Sequence, residues 1–141
     1  MGPRSATHLL QLPVQLHGIR LGRPVDLLLD PAAWRVLGFV VLCGDDVERF
    51  LVYPAADQQE DELAVQSALL LLEDVDFYRD RSRSLRALLG GSVVSEGNET
   101  GELRDLLVAR DGNVEALVVE QDEAVHEVAV AGARIASVSA A

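Results

Sequence analysis

One octapeptide pattern occurs twice in this chain. Gly22-Arg23-Pro24-Val25-Asp26-Leu27-Leu28-Leu29 returns 79 residues later as Gly101-Glu102-Leu103-Arg104-Asp105-Leu106-Leu107-Val108. Trp34 to Val41 then matches Gly112 to Val119, and Phe50-Leu51-Val52 matches Val128-Ala129-Val130, both at an offset of 78, so one residue is lost in the intervening turn. A period this long marks a whole folding unit rather than a solenoid element. The chain has 141 residues, so each unit is too small to bury a comfortable core by itself and the two are expected to pack together.

The rest of the sequence reads as strands. The chain is 49% hydrophobic but only 4% aromatic, so the core must be built from Leu, Val and Ala. Met1 to Thr7 reads as an unstructured leader. Leu10, Leu12, Val14 and Leu16 alternate with polar residues around Pro13, the pattern of a half-buried edge strand. Pro24 to Leu29, Arg35 to Cys43 and Val47 to Tyr53 follow as a meander, punctuated by Asp30-Pro31 and Gly44-Asp45-Asp46. Leu63-Ala64-Val65 adds a short strand. The second unit repeats the plan over Glu102 to Ala109, Val114 to Glu120, Ala124 to Val130 and Arg134 to Val138, with Asp111-Gly112 as its strongest hairpin signal. Between the units, Glu73 to Leu89 places Phe77, Leu85 and Leu88 on one helical face and stops at Gly90-Gly91. Ser92 to Thr100 reads as a flexible joint, within which Val93 and Val94 are candidates for the first strand of the second unit.

The expectation is an all-β protein of two tandem small barrels or β-rolls, over residues 8–72 and 92–139, joined by one α-helix over 73–91. Curling each sheet removes its exposed edges.

The spacing Gly-x-x-x-Asp, three apolar residues, a turn and two further strands resembles the PRC-barrel family. The residues carrying the likeness are Gly22, Asp26, Leu27, Leu28, Leu29, Phe39, Val40 and Val41, and again Gly101, Asp105, Leu106, Leu107, Val108, Leu117, Val118 and Val119. That family is known from the cytoplasmic domain of the photosynthetic reaction centre H subunit and the C-terminal domain of a ribosome maturation factor. The resemblance implies a small β-barrel without enzymatic activity, used as an adaptor or assembly surface.

Charge and residue types narrow the chemistry. All twelve basic residues are arginine, which excludes a Schiff-base lysine and a Walker-type phosphate lysine. The net charge of −11 disfavours direct nucleic-acid binding and makes a basic protein an electrostatically plausible partner, while the favoured reading is that the acidic surface maintains solubility. Cys43 is the single cysteine and forms no internal disulfide. His8, His17 and His126 are dispersed, so no metal site is expected, and no nucleotide cradle or nucleophile elbow occurs. No cofactor and no catalytic residue is expected. No apolar run approaches the length of a membrane span, and the expectation is a cytoplasmic protein without membrane insertion.

Four features stand out as candidates. Arg79, Arg83 and Arg86, beside Arg81, form a basic stripe if their segment is helical; the stripe either docks an anion or partner or pairs with the protein's own acids. Trp34 follows the Asp30-Pro31 turn and is either an exposed interface anchor or the cover of a barrel end. Asp26 and Asp105 hold equivalent positions; packing about a pseudo-twofold axis would bring them together as paired carboxylates, whereas the favoured reading is a turn cap or solvent-facing residue. Gly22 and Gly101 are structural repeat positions.

The function expected is a non-enzymatic adaptor presenting an acidic, strand-built surface to another protein. The alternatives are a ribosome-associated or RNA-processing accessory acting through a basic ribosomal protein, and a small-molecule or anion sensor using the arginine helix and the cleft between units. Exposed edge strands also admit a homodimer.

Overall fold

The computed structural model describes residues 2–136. The elements are β1 (Arg4–Ser5), α1 (Ala6–Leu9), β2 (Val14–Leu16), β3 (Ile19–Asp30), β4 (Arg35–Cys43), β5 (Glu48–Val52), β6 (Asp57–Gln58), β7 (Leu63–Ala64) and β8 (Leu71–Leu72), then α2 (Val75–Arg79), β9 (Arg83–Ser84) and α3 (Leu85–Leu88), and finally β10 (Ser92–Ser95), β11 (Asn98–Val108), β12 (Val114–Gln121), β13 (Ala124–Ala129) and β14 (Ala133–Ile135). The protein is all-β in class. One sheet runs β6-β7-β2-β3-β4-β5-β8 with β9 added to β3, and the other runs β13-β12-β11-β10-β14 with β1 added to β11. Among the described residues neither sheet closes on itself through its ladder, so two open sheets stand where closed barrels were expected.

The repeat governs the ladders. Asp26 faces Val40 and Asp105 faces Val118; Leu27 faces Phe39 and Leu106 faces Leu117. A β-bulge falls at the same place in each long strand, between Pro24 and Asp26 and between Leu103 and Asp105. In the third strand the sequence match slips. Leu51 faces Phe39 and Val128 faces Leu117, which makes Val128, not Ala129, the counterpart of Leu51. The second unit spends one residue fewer on its hairpin, where Asp122 and Glu123 both have positive φ, the geometry of a two-residue type I′ turn.

Each repeat's leading arm packs on the other repeat's sheet. Arg4 and Ser5 pair with Val108 and Leu107, and Arg83 and Ser84 pair with Leu29 and Leu28. Residues 4–9 and 83–88 are therefore a further stretch of the same repeat, reciprocally exchanged. Residues 4–7 are an ordered strand and helix start rather than a leader, because Ala6 and Leu9 are fully buried, the leucine contributing about 2 kcal/mol by burial alone.

The expected single helix over 73–91 is also corrected. α2 ends at Arg79, the hydroxyl of Ser82 donates to the carbonyl of Tyr78, and Ser84 is extended, pairing with Leu28 while its side chain caps α3. Serine hydroxyls compete with helical bonding in this way, and here the ladder of β3 supplies the better partner.

The two halves meet at a pseudo-twofold axis. Arg35 and Asn113, equivalent in the repeat, form an antiparallel bridge with each other. On either side of it the N–H of Val36 donates to the Gly112 carbonyl and the N–H of Val114 to the Trp34 carbonyl, both at 2.8 Å. One continuous core spans both halves, including Leu27, Phe39 and Leu51 from the first and Leu106, Leu117 and Val119 from the second. A second, smaller core of Leu28, Val40, Phe50 and Val75 lies on the outer face of the first sheet, where α2 covers it and Tyr78 stacks on Phe50 at 4.0 Å. Val138 and the end of the expected second unit lie outside the described residues.

Candidate functional site

Asp26 and Asp105 hold the exchanged arms in place. The Asp26 carboxylate accepts bonds from the Leu27 N–H (2.8 Å), the Arg86 N–H (3.2 Å) and the Ser84 hydroxyl. Asp105 accepts from the Leu106 N–H (2.8 Å), the Thr7 N–H and hydroxyl (both 3.0 Å) and the Ser5 hydroxyl. The bulge before each aspartate turns its side chain toward the incoming arm, and the donors satisfy both oxygens. No hydrogen bond joins the two aspartates, which work separately as clasps rather than as an acid–base pair.

The repeated glycines have a steric cause. A Cβ on Gly22 would lie 2.5 Å from the Leu42 carbonyl oxygen, and one on Gly101 would strike the equivalent oxygen of Glu120. Gly101 also has φ +136, which only glycine adopts readily.

The three arginines do not share a face, because their segment is not one helix. Arg79 pairs with Glu48 at 2.9 Å, Arg83 stands exposed on β9, and Arg86 donates from its Nε to the Val25 carbonyl. Arg81 lies over the Phe77 ring, 3.7 Å from its centroid. Trp34 is 9% exposed, so it covers the core beside the axis rather than standing out as an anchor. Its φ of +50 places a large side chain in the left-handed region, opposite Gly112 at φ +93.

The surface offers grooves rather than enclosed cavities. A cleft of about 560 Å³ lies between the halves, lined by Ala32, Ala33, Trp34, Asn113, Val130 and Arg134. A second groove of about 570 Å³ is bordered by Leu21, Cys43, Arg49 and the exposed Leu69. At its rim Arg49 grips Asp45 at 2.8 and 2.9 Å, and that bidentate bond holds the Asp45 carboxyl down at about 2. Among the described residues no three His, Cys, Asp or Glu side chains are grouped to hold a metal. No helix there is long and apolar enough to cross a membrane.

Among the described residues the second sheet is open along its outer edge. β13 ends its sheet, and Ala124, Val125, His126, Glu127 and Ala129 along it are all exposed. Its counterpart in the first sheet, β5, is covered by β8, with Phe50 facing Leu72 and Leu51 facing Leu71. The position of Phe50, beneath α2, is taken in the second sheet by Glu127. Asp122, Glu123 and Glu127 are exposed along this edge and, like Glu115 at the start of β12, make no ion pair among the described residues, while Glu120 is bound to Arg104 at 2.8 Å.

Ser5, Thr7 and Ser84 were not marked by the sequence, yet their signal was there: Arg-Ser at 4–5 and 83–84, and leucine at 9 and 88, recur at the same offset of 79. Tyr53 was missed as well. It is buried, stacks on Phe39 at 5.6 Å and donates to the Ala109 carbonyl at 3.2 Å, tying the first half to the second half's hairpin. No family model matches the chain, and no curated protein matches it at a significant level.

Proposed function

We propose that this chain is a non-enzymatic adaptor of the PRC-barrel kind, a double copy that presents an acidic strand-built surface to a basic protein. The observation that carries the reading is the asymmetry between the two repeats. The first sheet's third strand is covered by β8 and α2, whereas no described element covers its counterpart β13, which carries Glu127 and follows the exposed Asp122 and Glu123. The Gly-x-x-x-Asp pattern with its shared bulge supports the family likeness, since the same aspartate clasp is built in both copies. A net charge of −11 steers basic partners toward such a surface and weakens as salt rises.

Affinity capture with the tagged protein from its native cytosol, at low and moderate salt, tests this reading. A small reproducible set of basic proteins lost as salt rises is the expected result, and ribosomal proteins among them would identify the ribosome-associated form of the role. An empty capture at low salt overturns it. The sensor reading draws on the cleft between the halves, where Arg134 and Asn113 are the polar groups, and a thermal shift with small anions would favour it instead.

A further inference from the structure

We infer that β13 is a strand-addition site, and that its occupant is an extended peptide alternating basic and apolar residues. This rests on the adaptor reading and names where and what the adaptor binds.

The backbone is prepared for such a partner. Asp122 and Glu123 form a two-residue turn, so Gln121 and Ala124 beside it exchange both backbone bonds. Alternate residues then turn outward. The N–H and C=O groups of Val125, Glu127 and Ala129 point away from β12 to the open edge, where no described strand pairs with them. An edge of this kind is a template for another strand.

The side chains define the occupant's chemistry. Glu127 faces Val118 and Val125 faces Glu120, on the outer side of the sheet, away from the core residues Leu117 and Val119. On the outer face at the edge Glu127 therefore stands between Val125 and Ala129, with Asp122 and Glu123 in the adjoining turn. Val128 and Ala124 share the opposite, core side, with the exposed His126 between them. A strand laid beside β13 meets the Glu127 carboxylate with one set of its side chains, and Ala124, His126 and Val128 with the other, because successive side chains alternate; basic groups suit the first set and apolar groups the second. Within this chain the first repeat already shows the arrangement, with Leu71-Leu72 laid antiparallel on β5. Among the described residues no strand covers β13, which carries glutamate where β5 has Phe50.

The test uses the full chain and a synthetic peptide of about ten residues alternating Arg and Val, with a control of the same composition interrupted by prolines. The alternating peptide is expected to bind in a salt-sensitive manner and to protect the amides of Val125, Glu127 and Ala129 from hydrogen exchange. Glu127→Pro removes the central outward N–H without touching the ladder to β12, and is expected to weaken binding at least about tenfold. Glu127→Gln, which removes only the charge, is expected to weaken it a few-fold. An unchanged melting temperature in Glu127→Gln and undisturbed amide protection in β12 of Glu127→Pro show that the variants are folded.

Equal binding of the proline-interrupted peptide, or undiminished binding by Glu127→Pro, shows charge attraction without strand addition and overturns the inference. Protection of the same three amides that depends on protein concentration alone makes the edge a contact between two copies and also overturns it. Failure of the alternating peptide to bind while cytosolic capture succeeds removes the strand site and leaves the adaptor reading standing; an empty capture with peptide bound does the reverse.

Discussion

Trp34 and Gly112 face each other across the pseudo-twofold axis, each giving its carbonyl to the N–H two residues beyond the other, at 2.8 Å. They are equivalent positions of the repeat, and both have positive φ. The two halves therefore share a turn geometry that glycine adopts freely and tryptophan only under constraint.

Burial of the Trp34 ring, at 9% exposure, compensates that constraint. As the single tryptophan it reports on the axis directly. Its emission is expected to be blue-shifted and weakly quenched by iodide in the folded protein, with red-shifted, readily quenched emission on denaturation. Trp34→Ala should cost about 3 kcal/mol in urea denaturation, since the cavity it opens adjoins both halves.

Asp26→Ala and Asp105→Ala should each cost about 1–3 kcal/mol, because each leaves a serine hydroxyl and two backbone N–H groups without their acceptor. Their local effects differ. Asp105→Ala is expected to speed hydrogen exchange and proteolysis within residues 4–9, and Asp26→Ala within residues 83–88. Release of neither arm would show that the apolar contacts alone hold them.

Leu9 and Leu88 are the buried leucines of the two arms, at 0% and 3% exposure. Truncation of either to alanine should cost about 2–5 kcal/mol. Chemical denaturation of Leu9→Ala gives the sharper result, since a loss near zero would return residues 4–9 to the status of an unstructured leader.

The Asp45 carboxyl is held at about 2, first by its side-chain bond from Arg49 and further by the Val47 N–H. Its folded-state value is depressed, so the stabilising contact is fully present above the ordinary carboxylate range and is lost as pH falls through about 2. A carbon-detected NMR titration should place the Asp45 midpoint near 2, and Arg49→Gln should return it toward the ordinary range.

Burial pushes the Tyr53 hydroxyl up from its ordinary value, with Gln58 and Arg4 partly opposing. Raised in the folded state, it favours folding below the ordinary tyrosine range, and that contribution is lost as pH climbs through the folded value. Ultraviolet titration should show Tyr53 ionising above the ordinary tyrosine range, and Tyr53→Phe should remove that late step at a cost of about 1 kcal/mol.

What the sequence disclosed and what it hid follow from the same physics. Gly22 and Gly101 were visible because no other side chain fits against the Leu42 and Glu120 carbonyls, so the repeat keeps them as identities. Asp26 and Asp105 were visible for a similar reason, but their partners lie on arms whose resemblance is reduced to Arg-Ser and one leucine. Those arms need only a short extended segment, a hydroxyl and an apolar anchor, which many sequences supply. Helical periodicity in 73–89 was real in pieces, since α2 and α3 each have a capped, apolar face. It misled because Ser82 and Ser84 interrupt the run with bonds to partners far away or out of phase. The burial of Trp34 was illegible, because its partners come from residues 78 positions on, across an axis that only the packed pair creates.

The crossed arms also set the order in which a growing chain can mature. β9 and α3 emerge after β3, the strand they cover, so the first sheet is complete once Leu88 has been synthesised. The first arm waits far longer, as Ser5 meets Asp105 across a separation of 100 residues. A polypeptide released before β11 is made would lack the strand on which α1 packs, and would be open to proteolysis at that arm. Completion of the fold thus doubles as a proof that translation reached the far half of the message.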